Sequence, residues 1–457
     1  MVGATGKLAA FIAHSTLDDL TPAVLDKAGA CFLNAYGLAV QGYSEPVCSA
    51  VRKLAVPCSI DGEIARVWPG AVRVSALDAA MLNGVAVHAH FQDDTCYASV
   101  THPASLIVPS AVAAAELSNA GLLQCLHAIA VGYTALSWLG AQERVARAMI
   151  KRGFRCSPSL GALGSTAAAA SLLRLDVNAA ANALGIAASL SGGILEPVRA
   201  GSDEWRIQNG RACSNGLFAA RLAAQGVQAA TQALEGPCGL LHALAGLEEL
   251  PPEWSLEPDF NVILEVVAKP WATLGDNMAA AMAAKLIHDE GLGTEGIAQI
   301  TVRIWTPFVD FPGTSYKGPF NTTTQALASM SYATVAMLVH GNLDYDISLE
   351  GREHPEVLRL LPLLNIEPDD DGDSLNAMVR VVYEDGTVIA REASQAPQNQ
   401  LFHDREISCS LFEHRLTKSG FLPGQGRALA ERVYAEVDGR THMNMGELLG
   451  ELCPVPA

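Results

Sequence analysis

Charge is scarce in this chain of 457 residues: Asp, Glu, Lys and Arg make up 17% of it and aromatic residues 6%, while half of the residues are apolar. That is the composition of a globular protein with a large core, and the length admits two or three domains. Basic residues are the scarcer sign, 30 Lys+Arg against 48 Asp+Glu, which gives a net charge of −18. A deficit of that size argues against a general nucleic-acid or membrane-surface binder, because both need a broad positive field. An anionic substrate would have to find a local basic pocket. The ten cysteines include no C-x-x-C pair and no regular spacing, which excludes a small disulfide scaffold and fits buried thiols in a reducing compartment. No apolar run of about 18 residues carries membrane-span flanks, and residues 1–24 lack the basic, apolar and small-residue order of a signal peptide. The expectation is a soluble cytoplasmic protein.

What is present is mostly helical language. From about residue 20 to 250, Ala, Leu and small polar residues dominate, with apolar positions at helical spacing over 109–117, 163–173 and 179–190. Gly161, Gly164, Ala167, Ala168 and Ser171 recur every three or four positions, a spacing that lets helices approach closely. After Lys269-Pro270 the pattern changes. Ile300, Val302 and Ile304 alternate with polar residues, and 377–390 reads as a hairpin turning at Asp385-Gly386. Residues 325–338 read as a helix, 366–373 as an acidic surface connection, and 401–452 as a return to helical periodicity. The expected architecture is mainly α with α+β: a helical domain over 1–267, a smaller α+β lid domain over 268–398, and C-terminal helices over 399–457 that return to the helical domain.

Nucleotide-cofactor signals are missing, since neither a phosphate loop nor a strand-embedded G-x-G-x-x-G occurs. Residues 367–372 look like a calcium loop, but Met378 stands where a bidentate Glu is required. The densest polar cluster is His88, His90, Asp93, Asp94 and Thr95, followed by His102-Pro103. It admits three readings: a metal site, a capped helix with a core histidine, and an acid/base site. An upstream helix places His88 and His90 about 200° apart, which opposes the metal reading. Two further stretches, 143–160 and 196–215, set Arg155, Arg199, Arg206 and Arg211 beside Gly, Ser and Asn, where guanidinium forks can hold carboxylates. Tyr316 offers a phenol in a loop flanked by Gly and Pro, a core tyrosine being the competing reading.

These residues, in order, resemble the MmgE/PrpD family of dehydratases, decarboxylases and epimerases. One box is matched by Asn83-Gly84, His88, Asp93-Asp94-Thr95 and His102-Pro103-Ala104-Ser105, and a second by Gly153-Phe154-Arg155-Cys156-Ser157-Pro158-Ser159-Leu160-Gly161. The others are residues 210–225 with Asn215-Gly216, Lys269-Pro270-Trp271, and Thr322 to Ala326 with Ser329 and Tyr332. The resemblance implies a helical domain with an α+β lid, a homodimer, and a cofactor-free cleft in which a proton α to a carboxylate is removed or moved. It assigns Asp93, Asp94, Thr95, His102 and Lys269 to active-site positions, His102 exchanging the proton and Lys269 binding carboxylate. Arg155, Ser157, Arg206 and Gln208 fall in the boxes expected to bind substrate. The chain departs from the family pattern at Phe91, at Arg155, at Trp205-Arg206-Ile207-Gln208 and at 273–277, replacing acidic, His or Lys positions. The expected activity is a lyase on a small carboxylate-bearing substrate. An isomerase or epimerase, a non-catalytic carboxylate binder, and a metal hydrolase using His88, His90 and Asp93 or Asp94 are the alternatives.

Overall fold

Helix starts in this chain are written in proline and small polar residues. Pro22 opens helix Pro22–Gly42 while the Thr21 hydroxyl accepts the Val24 N–H at 3.3 Å, and the Ser75 hydroxyl caps helix Ala76–His88 through the Asp78 N–H at 3.1 Å. Both devices satisfy donors that the first helical turn leaves open. The computed structural model describes residues 3–58, 63–70, 72–397, 401–439 and 442–452.

The result is a mainly helical protein with a smaller α+β part. The larger core packs Pro22–Gly42, Ala76–His88, Pro103–Ser118, Leu122–Gly140, Cys156–Leu172 and Glu204–Ala224 together. Close approach relies on glycine: a Cβ on Gly132 would lie 2.6 Å from Ile107 Cγ2 and 3.0 Å from the Gly164 carbonyl. Leu122–Gly140 qualifies the sequence reading, because it is long and apolar enough to cross a membrane; 89% of its most apolar window is buried inside the fold. Phe412, Leu416, Val433 and Met445, from helices Arg405–Lys418, Gln425–Val437 and Met445–Glu451, join this same core. Among the described cysteines, seven are buried, Cys58 is half-buried and Cys238 is exposed, so the expectation of uniformly buried thiols is corrected at two positions; Cys453 lies outside the described residues.

A second core lies around a four-stranded sheet ordered Leu364–Asp369, Ile297–Trp305, Ala377–Tyr383, Val388–Glu392. The first pair is parallel and the other two antiparallel, with Val302 opposite both Ile366 and Val379. Helices Met278–Asp289 and Met330–His340 pack their apolar residues into this core. Two expectations need correction. Residues 364–369 form an edge strand rather than a connection, and Pro368, which has no N–H to donate, is tolerated at an edge. The helix expected over 325–338 is broken at Ser329, whose hydroxyl donates to the Tyr316 carbonyl at 2.6 Å and accepts the Tyr332 N–H at 2.9 Å, starting a new helix. A small apolar cluster that includes Phe91, Leu195, Val198, Trp205, Leu274 and Leu327 joins residues of both parts beside the histidine cluster.

Candidate active site

Helix Ala76–His88 ends in a reversal through Phe91, which holds a left-handed φ of +57°. The chain then runs through Asp93 and Asp94 to the start of helix Pro103–Ser118, where His102 is the N-cap residue. Asp94 closes that helix start from outside. One carboxyl oxygen accepts the Ala104 N–H at 2.7 Å and the other accepts the Tyr133 hydroxyl at 2.7 Å. Burial nevertheless raises its pKa to about 7, against the effect of those two bonds.

The tautomer of His102 follows from its partners. Nδ1 lies 2.9 Å from the Asp94 carbonyl oxygen, which only accepts, so Nδ1 carries the proton and Nε2 keeps its lone pair. Burial, then the positive charge of Lys269, hold the imidazole well below its ordinary pKa, so it is neutral near pH 7. The Ser157 hydroxyl accepts the His102 backbone N–H at 3.2 Å, and Thr95 Oγ1 lies 3.4 Å from Nδ1.

His88 works the other way round. Arg155 Nη2 can only donate and sits 2.6 Å from His88 Nε2, so Nδ1–H faces the Asp93 carboxylate, at 2.9 and 2.8 Å from its two oxygens. Burial and Arg155 keep His88 neutral. It transmits the Asp93 charge to the guanidinium and fixes where that guanidinium sits. Arg155 Nη1 donates to the Trp205 carbonyl at 2.7 Å and to Asn209 Oδ1 at 3.1 Å, and no bond from its Nε–H is found among the described residues. His90 turns away, bonding Glu45 at 3.0 Å and stacking on Tyr345 at 3.9 Å. The His88, His90 and Asp93 set therefore does not converge as a metal site requires.

A small cavity of about 40 Å³ lies at this junction. Its polar lining comes from Thr95, His102, Arg155, Ser157 and Asp276, and its apolar lining includes Phe91, Leu274 and Phe311. A profile described as MmgE/PrpD N-terminal domain matches residues 6–253, more than half of the chain. The chain belongs to the MmgE/PrpD family. Its similar proteins in that family include human cis-aconitate decarboxylase, 29% identical over 336 residues, which are 69% of this chain and 67% of that protein. The cis-aconitate decarboxylase-like protein oryM of Aspergillus oryzae is 33% identical over 176 residues, 37% of this chain and 35% of its own. Cis-aconitate decarboxylase of Mus musculus is 27% identical over 335 residues, 69% and 66% of the two chains. These relatives are lyases by name, and the identities make this chain a divergent member.

The MmgE/PrpD boxes do not all meet at the cavity. Thr95, His102, Arg155 and Ser157 line it, and Asp93 and Asp94 stand behind His88 and His102. Lys269 does not line it: the buried ammonium donates to the Phe91 carbonyl at 2.6 Å and the Thr273 carbonyl at 3.0 Å, and burial lowers its pKa to about 8. Arg206 is also apart, with Nε on the Ala89 carbonyl at 2.8 Å, Nη1 on Asp203 at 2.5 Å, and the guanidinium over the Trp205 ring at 4.1 Å. Of the cations expected at the site, Lys269, Arg155 and Arg206, only Arg155 lines the cavity. Gln208 supports Arg155 from outside at 3.4 Å and donates to the Ile194 carbonyl. Tyr316 packs edge-on against Phe320 in the second core and donates to the Pro319 carbonyl at 2.5 Å, outside the cavity. Arg199 is exposed and paired with Glu196, and Arg211 is exposed. Asp276 is the residue the sequence reading passed over. An acid between Leu274-Gly275 and the apolar helix Met278–Asp289 was its available signal.

Proposed function

We propose that this protein is a lyase that acts on a small carboxylate-bearing substrate by removing or delivering a proton α to the carboxylate, with dehydration or decarboxylation as the outcome. The observation that carries this reading is the neutral His102 imidazole, whose unprotonated Nε2 belongs to a side chain lining the same cavity as Arg155. An imidazole fixed at Nδ1 by a backbone carbonyl is a base of defined tautomer. As the α-proton leaves, negative charge grows on the substrate carboxylate, and the Arg155 Nε–H edge stabilises it in a site with little water. Asp93 and His88 hold Arg155, Asp94 holds both His102 and the helix start behind it, Thr95 lies beside the imidazole, and Ser157 holds the His102 backbone N–H. Lys269 supplies positive potential from behind Phe91, where its Nζ is 4.8 Å from the ring centroid. The chemistry calls on side chains of this chain alone.

Ligand sites for small molecules usually measure about 300 to 1,000 Å³, so in this reading a cavity of about 40 Å³ must enlarge to admit substrate. In the same proposal the protein works in the cytoplasm as a homodimer. The seven buried free thiols among the described residues support the location. The partially exposed Leu190, whose carbonyl accepts the Asn215 amide, and Phe218, one turn after Asn215 on the same helix, support an interface.

The test is incubation in D₂O with citrate, 2-methylcitrate, cis-aconitate and iminodisuccinate, following α-proton exchange and conversion by NMR. His102→Gln is expected to slow exchange by about 10²- to 10⁴-fold with an unchanged unfolding transition. Exchange at the wild-type rate in that variant would reject the assignment. Inversion without loss of water or CO₂ would make the enzyme an epimerase using the same base.

A further inference from the structure

Asp276 sits in the one-turn segment Gly275–Asn277 that leads into helix Met278–Asp289, is 7% exposed, and lines the cavity that His102 lines. Its Oδ2 is buried without a hydrogen-bond partner among the described residues. The other two acids of the site differ: both oxygens of Asp93 face His88, and both oxygens of Asp94 accept bonds. A buried polar atom left without a partner costs about 1–3 kcal/mol, so its retention needs a reason. Because the same side chain lines the cavity, a group arriving with a ligand would supply that partner.

The charges facing Asp276 are Arg147 and Glu143, at the start of helix Arg144–Lys151, and Lys269 from the preceding segment; Tyr97 is the neighbouring phenol. Burial outweighs the two cations and raises the carboxyl pKa to about 6. His102, in the same cavity, is held neutral. Two groups whose environments displace their titrations in opposite directions, the acid up and the imidazole down, form a donor and acceptor pair.

We propose that Asp276 is the second proton-transfer residue of this site, giving its proton to the departing hydroxyl of a small 3-hydroxycarboxylate while His102 takes the α-proton. This rests on the lyase reading above and deepens it. In the step, His102 Nε2 removes the proton from Cα and the C–H electron pair becomes the Cα–Cβ double bond. The Cβ–O bond breaks with its pair going to oxygen, and the Asp276 proton joins that oxygen, which leaves as water. Imidazolium and carboxylate remain, and one proton passed from His102 to Asp276 through water restores both.

The experiment compares wild type, Asp276→Asn and His102→Gln with citrate, 2-methylcitrate and malate in D₂O, reading α-deuterium exchange by NMR and alkene formation by ultraviolet absorbance. Asp276→Asn is expected to lose alkene formation by about 100-fold while α-exchange persists, and His102→Gln to lose both. In the wild type, the ratio of elimination to exchange should fall as pH rises through about 6, a readout that needs no variant. Elimination within about threefold of wild type in Asp276→Asn, or a ratio flat from about pH 5 to 8, would overturn the role of Asp276 and leave the lyase reading standing. Wild type that neither exchanges nor converts any of the three acids would overturn both.

Discussion

Asp94 is a carboxyl that folding holds back from ionising, and this has a consequence for stability. An unfolded Asp titrates at about 3.9, whereas burial raises the folded group to about 7. Between those values the folded chain binds a proton that the unfolded chain has released, so this contribution to stability is complete below about pH 4 and is lost as pH rises through about 7. Asp276, raised to about 6, acts in the same direction. Urea unfolding of wild type and Asp94→Asn across that range should show the wild type losing more stability with rising pH, by up to about 1.4 kcal/mol per pH unit. Parallel pH dependences would place the charge on Asp94 throughout. His102 was legible from the sequence because its cluster is dense. Arg206 was legible as a cation beside small and polar residues and Lys269 through the family resemblance, but neither as a donor to backbone carbonyls. Those carbonyls are presented by the left-handed Phe91 and by the end of helix Ala76–His88, geometry that no side-chain pattern records.

At the scale of elements, the site depends on how closely helices Cys156–Leu172 and Glu204–Ala224 pack, since the first begins beside Arg155 and the second supplies Asn209. A Cβ on Gly216 would stand 2.2 Å from Ser165 Cβ and 2.7 Å from the Ala162 carbonyl oxygen. Backbone cannot give way as a flexible side chain would, so the helices must separate. Gly216→Ala is expected to destabilise the protein by about 1–3 kcal/mol in urea unfolding and to lower α-exchange with it, by displacing Arg155. A variant as stable and active as wild type would show that the helix pair has slack. This close approach was readable in advance from Gly161, Gly164, Ala167 and Ala168, because small residues at helical spacing have few other structural uses. The strand Leu364–Asp369 was not readable, because Pro368 and its acidic neighbours suit an exposed connection equally well. Partner strand Ile297–Trp305 decides between the two.

Across the whole molecule, residues of both parts meet at the small cavity, and a larger cleft lies nearby. An open cleft of about 930 Å³ is lined by Tyr97, Arg144 and Arg147 from the helical part and by Trp305 and Leu375 from the α+β part. The Tyr97 hydroxyl donates to the Gly275 carbonyl at 2.9 Å, and Gly275 and Asp276 line the small cavity. The turn at 275–277 therefore links the cavity to Tyr97 of the cleft, and we take it as the partition between them. Asp276 could be recognised only here, because its neighbours come from chain segments far apart in sequence. We propose that residues 268–398 move as a lid on the helical part and that this partition opens when they do. The antiparallel bridge of Thr95 with Val267 lies at the point where the chain passes from one part to the other and is the natural hinge. Hydrogen exchange read by mass spectrometry tests this. Peptides containing residues 273–277 should exchange faster than those from helix Pro103–Ser118 although both are buried, and Tyr97→Phe should accelerate only the former. Local opening has a lower free energy than global unfolding, so the two rates separate if the lid moves. Equal, slow exchange in both segments, unaltered by Tyr97→Phe, would mean that the partition does not open, and substrate would have to enter from another side.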